Sequence, residues 1–537
     1  MNPTTNHAYS AIQGNLANAS NERIIVERMT ETDPLNLAGM IAGLQPVGAT
    51  VAKAAEWFAA VIGKEHVLCD DASRFEYSKS TLPRSTTPAI IVRPGSVSEV
   101  QQIVKGASIF GLKPHAISRG KNWGYGDACA QRDGQLIVDL RRMNRIVEIN
   151  EELAYAVIEP GVTQGQLAEE LLAQGARLML DVTGAGPDAS IVGNILQRGF
   201  GHTPYGDRVA HSCNYQVVLP DGTIKQTGFG DVTGSNVGHV YPYGNGPCTQ
   251  GLFAQSHAGI VTRMTIWLMP HYERVIGFGF KTNETEVFAL IVDRIGQLRR
   301  DGTIGSVVHI ANDIRVLSTQ RTMKEHSDNR APLTAVERAA MAKEAGIGQW
   351  NGLGGLYGSR RIVSAKKKEI KKAFKDICPI RFFCKWQVRT LKRVSCHLPS
   401  STLFDPVRNI STTIADVYDL LCGTPSNKHL EGAFCRNRPK SGEVIDAGLI
   451  WISPVIPCSG KDAKRLVSAM APIANGHGFD LPITISPVTP RSAVCVTNIC
   501  FNKLDNDESK RASLCYKDLS SAINNLGYPP YRKASTD

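Results

Sequence analysis

The sequence predicts an α+β protein built from two large lobes, on three observations. Its 537 residues exceed the roughly 100–200 residues of a typical domain. From about residue 61 to 272, short strand patterns alternate with helices. After Pro270 the texture changes to longer helical stretches, at Val287–Leu298, Ala335–Ala345 and Ala365–Ile377, with strands and loops following them.

Taken in order, Val51–Phe58 is an apolar helical segment within a polar lead-in. Thr87–Pro94 reads as a strand and turn, and Ser98 with Gln101 as the start of a helix whose stripe is Val100, Ile103, Val104 and Ala107. Gly134–Leu140 and Tyr155–Val162 are strand patterns, the second leading into a helix over Gln164–Gln174. Asp221-Gly222, between Val217-Val218-Leu219 and Ile224, signals a hairpin. Gly448–Pro454 and Ala493–Phe501 are strands of the later lobe. Lys366, Lys367, Lys368, Lys371 and Lys372 share a helix with Ile370, Phe374 and Ile377, and a solvated face explains them better than a binding patch.

Composition excludes several classes. No apolar run reaches the roughly 20 residues of a membrane helix, and the N-terminus lacks the basic and apolar regions of a signal peptide. Ser535-Thr536-Asp537 is not a peroxisomal address, so a cytoplasmic protein is expected. Thirteen scattered cysteines with no CxxC pair argue against a disulfide framework and a zinc site, and no metal is expected. The net charge of +11 suits an acidic partner, whereas no nucleic-acid motif is present.

The chemistry centres on Ile117-Ser118-Arg119-Gly120-Lys121-Asn122-Trp123-Gly124-Tyr125-Gly126, three glycines within seven residues between two strand patterns. Such a turn lets backbone N–H groups approach an anion that a Cβ would otherwise block. It is not a Walker loop, having no terminal Gly-Lys-Ser/Thr, nor a dinucleotide GxGxxG opening a helix.

Together with Ile191-Val192-Gly193-Asn194, Gly201–Asp207 and Ser256–Thr262, this loop resembles the FAD-binding half of the vanillyl-alcohol oxidase/p-cresol methylhydroxylase family. The resemblance spans about Ala89 to Pro270 and resumes at Tyr528-Pro529-Pro530-Tyr531-Arg532. It implies an accessory segment at 1–60, a PCMH-type FAD-binding domain at 61–272, an α/β cap over the substrate at 273–505, and a C-terminal segment at 506–537 returning to the FAD domain. It implies FAD contacts from Gly120, Lys121, Asn122, Gly124, Tyr125, Ser190, Gly193, Asn194, Gly259, Ile260 and Val261. Tyr125, Tyr531 and Arg532 match the positions that stabilise an ionised phenol in the family's oxidases. Relatives run on beyond that motif, whereas this chain stops at Asp537 and leaves part of the FAD-domain floor unaccounted for.

Departures from the family shape the rest. Leu449 stands where relatives tether FAD through a histidine or tyrosine, and Asn122 where bicovalent relatives carry a linking histidine, so non-covalent FAD is expected. The acid-bearing loop of relatives is replaced by Val182–Ser190, leaving Asp188 as a helix cap and Asp181 as either a displaced acid or a strand-end residue. Pro490–Val494 lacks a histidine pair. His202 and His257 read as hydrogen-bonded structural residues, and Cys129 as a small buried one. The resemblance implies an oxidoreductase acting on a small aromatic alcohol or 4-alkylphenol, with electrons passing to O2 or an electron-accepting protein such as a cytochrome. A homodimer, a redox-neutral cyclase or isomerase, and a non-catalytic relative stay open.

Overall fold

The computed structural model describes residues 49–320, 332–398, 405–434 and 447–534. The expectations for residues 1–48 and for Ser535–Asp537 lie outside them. All described residues belong to one compact unit, Val47–Asp537.

Three sheets position the site. The first has four strands, in the order Val67–Leu68, Ile90–Val92, Leu136–Asp139, Pro114–Ile117, and its last two neighbours run parallel with Pro114 opposite Leu136. Helices Ala49–Ile62 and Val97–Ile109 cover one face, burying Phe58, Val100, Ile103 and Val104 against Ile90, Val92, Leu136 and Val138. The second helix has its cap two residues before the expected Ser98, at Ser96, which accepts from the Glu99 N–H.

The second sheet is antiparallel, in the order Ile146–Asn150, Tyr155–Ile158, Ile260–Trp267, Ser212–Val218, Ile224–Gln226. The hairpin at Asp221-Gly222 forms as expected: Gly222 has φ +83° and its N–H donates to the Leu219 carbonyl. Helix Gln164–Ala173 starts at the Thr163 cap.

The third sheet has eight antiparallel strands. Seven follow the order Ile380–Cys384, Arg274–Thr282, Trp350–Gly358, His309–Asn312, Ile483–Ser486, Ser492–Asn502, Ala447–Ile452, and Val455–Pro457 adds to Ser492–Asn502. Helices Thr285–Arg300, Gly460–Gly476 and Asn506–Asn525 close its core through Phe288, Ile295, Met470, Leu519 and Ile523. Most of the stretch beyond residue 505 therefore packs with this sheet, and only the turn after Tyr528 runs back toward the glycine loop. The lysine-rich helix is Arg360–Ala373, five residues earlier than expected, since the Ser359 side chain accepts from the Ile362 N–H. It buries Val363 and Ile370 and leaves Lys368, Lys371 and Lys372 exposed.

Candidate active site

A cavity of 1770 Å³ lies between the glycine loop, the second sheet and the eight-stranded sheet. It exceeds the roughly 300–1,000 Å³ of a site for one drug-sized ligand.

The glycine loop leaves Pro114–Ile117 and must reverse to begin the parallel strand Leu136–Asp139. Gly120, Gly124 and Gly126 supply the reversal with φ of +63°, +70° and +121°. Gly120, Lys121 and Asn122 line the cavity. Gly124 does not: its N–H donates to Thr81 Oγ1 at 2.7 Å, and its carbonyl accepts from the Trp451 N–H. A Cβ there would lie 2.3 Å from Trp451 Cδ1 and 3.1 Å from Leu449 Cγ. Gly124 thus joins the loop to the large sheet instead of holding an anion. The Tyr125 N–H is likewise engaged, by the Asn122 carbonyl.

The Ser190 turn is also self-contained. Ser190 Oγ donates to the Pro160 carbonyl at 2.6 Å and accepts from the Gly193 N–H at 2.9 Å. Ser190 is the cap of Ile191–Leu196, the role expected of Asp188, which is exposed. The Asn194 amide bonds the Ser190 carbonyl and its side-chain oxygen accepts from Arg208. Ser190, Gly193 and Asn194 therefore offer a cavity wall of close approach, with these donors already paired. Gly259, Ile260 and Val261 line the same cavity at the entry to Ile260–Trp267.

Tyr125, Tyr531 and Arg532 come together although the last two lie some four hundred residues further along the chain. The Arg532 guanidinium sits 3.6 Å from the Tyr125 ring centroid and bonds Asn122 Oδ1. Tyr125 hydroxyl and Ser453 Oγ are 2.9 Å apart, and the Tyr531 N–H donates to the Ser453 carbonyl. Burial, then the neighbouring Tyr531, push the Tyr125 hydroxyl well above its ordinary pKa, so it is a neutral donor at physiological pH. Arg532 Nε is buried with no partner among the described residues.

Three further residues in the cavity escaped the sequence reading as a set. His202, His309 and His429 line it, with ring centroids 4.4 Å apart for His202–His309 and 6.0 Å for His202–His429. His202 Nδ1, His309 Nε2 and His429 Nε2 are buried without partners among the described residues, so His202 is not the satisfied structural residue expected. Desolvation is the largest cause for all three, helped by neighbouring imidazoles at His202 and His309 and by Arg315 and Lys428 at His429, where Asp416 opposes it: His309 falls to about 3, His429 to about 4 and His202 well below its usual value. Leaving such atoms unpaired costs about 1–3 kcal/mol each, a cost that a bound partner would remove. No sequence signal groups them, since they come from a turn, a strand and a short helix. His257 is exposed, its ring 5.8 Å from His115.

The acids are elsewhere. Asp181 accepts from Thr203 Oγ1 at 2.6 Å and pairs with Arg208 at 3.4 Å, which makes it a strand-end anchor and not a displaced acid of the cavity. Asp127 is the one acidic residue among the cavity's described lining, and it already accepts from Thr81 and Ser80. Cys129 is buried, with its thiol pushed up to about 11 by burial. Leu449 is fully buried against the loop. Among the described residues no three His, Cys, Asp or Glu side chains could hold a metal, no helix is long and apolar enough to cross a membrane, and every cysteine is free.

Residues 88–228 match the family described as the FAD binding domain. The chain is 33% identical over 485 residues to the 1'-carboxy-chondrochloren decarboxylase of Chondromyces crocatus, covering 88% of this chain and 89% of that one. It belongs to the vanillyl-alcohol oxidase/p-cresol methylhydroxylase family. Within this family it is 29% identical to the 4-cresol dehydrogenase [hydroxylating] flavoprotein subunit of Pseudomonas putida, over 89% of this chain and 87% of that one. The 4-ethylphenol oxidase of Gulosibacter chungangensis, solved as an isoeugenol complex, superposes with a TM-score of 0.81 at 29% identity, covering 91% of this chain and 90% of that one. The chain is accordingly an FAD-dependent oxidoreductase with the PCMH-type fold, which removes the non-catalytic alternative. The lining fits FAD: Arg119, Lys121 and Arg532 bring positive charge to a cavity whose described lining holds a single acid, and Trp123, His115 and Arg532 keep buried nitrogens without partners among the described residues.

Proposed function

We propose that this enzyme oxidises a small aromatic alcohol or 4-alkylphenol. The substrate gives up a hydride from its benzylic carbon and a proton from its phenol, and the electrons pass on to O2 or an external acceptor. The carrying observation is the convergence of Tyr125, Tyr531 and Arg532 in a buried corner of the cavity. When bound, FAD supplies the two-electron acceptor. Gly120, Lys121 and Asn122 would hold its diphosphate, with Gly193 and Gly259–Val261 forming the wall beside it.

The protein's own part is electrostatic. Arg532 supplies a full positive charge, and the neutral Tyr125 hydroxyl a donor, for a phenol oxygen that ionises in a place of low dielectric. An ionised oxygen feeds charge into the ring as the benzylic carbon loses its hydride. Asn122 and Ser453 hold Arg532 and Tyr125 in place. The buried Leu449 offers no nucleophile, which supports FAD held without a covalent bond. The net charge of +11 favours an acidic protein if the acceptor is one.

The test is anaerobic mixing with a 4-alkylphenol: loss of the visible flavin band supports oxidation. Product formed with no bleaching and no acceptor consumed points instead to redox-neutral chemistry. A second reading draws on the 33% identity to a decarboxylase together with a cavity whose described lining holds Asp127 as its one acid. In it the substrate carries a carboxylate that leaves as CO2. Stoichiometric CO2 release would establish that reading, and its absence with every acid tried would remove it.

A further inference from the structure

We propose that His202, His309 and His429 form a subsite for a carboxylate carried on the substrate's para chain, reached across Phe200 from the phenol-binding corner. This rests on the reading that Tyr125, Tyr531 and Arg532 receive the phenol oxygen. Phe200 links the two places: its ring centroid is 6.2 Å from that of Tyr531 and 6.4 Å from that of His309, with the His309 ring nearly parallel to it. A phenol held at one end therefore extends its para substituent along Phe200 toward the imidazoles.

The chemistry of that end selects an anion. Each histidine lines the cavity and keeps one buried nitrogen without a partner among the described residues. Among the described residues no three such side chains are arranged to hold a metal ion. Nor does the set suit a cation, since Asp127 is the one acid among the cavity's described lining and is bonded to Ser80 and Thr81. The surroundings lean positive: Arg315 lines the cavity and acts on His429, and Arg299 acts on His309. Around His429, Asp416 is offset by Lys428 at 2.8 Å. Ser486 Oγ lies 2.9 Å from His309 Nδ1 and fixes that ring's orientation. Imidazole N–H groups donate to a carboxylate, and its negative charge favours their protonation.

That coupling gives the site a signature. Unliganded, His309 and His429 are neutral at pH 7, because desolvation lowers them to about 3 and about 4. A bound carboxylate raises them, so binding takes up protons and tightens as pH falls.

The experiment titrates the holoenzyme anaerobically with 3-(4-hydroxyphenyl)propanoate and with 4-propylphenol, reading the perturbation of the flavin spectrum. The acid is expected to bind at least tenfold more tightly than the alkylphenol at pH 6.5, with that ratio shrinking toward pH 8.5. Calorimetry in buffers of different ionisation enthalpy should register proton uptake for the acid alone. His309→Phe and His202→Phe, each checked for flavin content and melting temperature, should cut the acid-to-alkylphenol ratio to below threefold. Either variant suffices if the other fails to fold. Equal binding of the two ligands by the native enzyme, or a ratio unchanged in the variants, overturns the subsite. Preferential binding of the acid by an enzyme that oxidises neither ligand upholds the subsite and sinks the phenol-oxidation reading.

Discussion

The two sides of the cavity are made by different means. On the flavin side the wall is mostly backbone: the glycine loop, the self-capped Ser190 turn and the edge at Gly259–Val261. On the side of the large sheet it is side chains from distant elements, among them Ser453, Ser486, His309 and His429. A backbone cradle tolerates few changes because conformation itself is the recognition element. A side-chain wall can be rewritten one residue at a time.

The sharpest way to expose that difference is acid. The three imidazoles have folded-state pKa values below their unfolded value of about 6.5, so below that pH the unfolded chain binds more protons and stability falls as pH falls. The slope approaches about 1.4 kcal/mol per pH unit per imidazole between roughly pH 6 and 4, reduced where water reaches the cavity. Denaturant midpoints of the flavin-free protein at pH 6.5, 5.5 and 4.5 should drop steeply, and His309→Asn with His429→Gln should flatten the drop. A parallel decline in the double variant would break the assignment.

Next in size is the seam between the two sides. Gly124→Ala puts a methyl 2.3 Å from Trp451 Cδ1 in a left-handed conformation, and should cost about 2–3 kcal/mol. Thermal melts and flavin content measure it; a native melting temperature would show that the loop and the strand Ala447–Ile452 move apart freely.

Arg532→Ala should lower kcat/KM for a phenolic substrate more than tenfold, at least about 1.4 kcal/mol of transition-state stabilisation. Because Arg532 also holds Asn122, flavin content is measured alongside, and kinetics equal to the native enzyme's would take Arg532 out of the site. The mildest test asks only where the colour goes. Because the buried Leu449 offers no nucleophile, acid precipitation should release the yellow flavin into the supernatant, and a coloured pellet would reveal a covalent bond.

The same contrast governs what the sequence made visible. Backbone-built features leave local signatures, so the glycine loop, the Asp221-Gly222 hairpin and the stripe of Val100, Ile103, Val104 and Ala107 could be read directly. Family order added Tyr531 and Arg532, which no local pattern would have selected. Three things stayed hidden. Which donors are already engaged, the Gly124 amide and the Ser190 hydroxyl among them, depends on Thr81 and Pro160, residues with no motif of their own. Whether Asp181 is an acid or an anchor depends on Arg208, 27 positions away and paired with it only in the fold. The imidazole cluster joins positions 202, 309 and 429, which only the packing of a turn, a strand and a short helix brings together.

The contact between Arg532 and Asn122 spans 410 positions of sequence, and that between Tyr125 and Ser453 spans 328. Closing loops of that length costs chain entropy that only long-range packing offsets. The corner therefore exists only while both ends of the chain are folded together, and a local opening of the turn after Tyr528 would dismantle it.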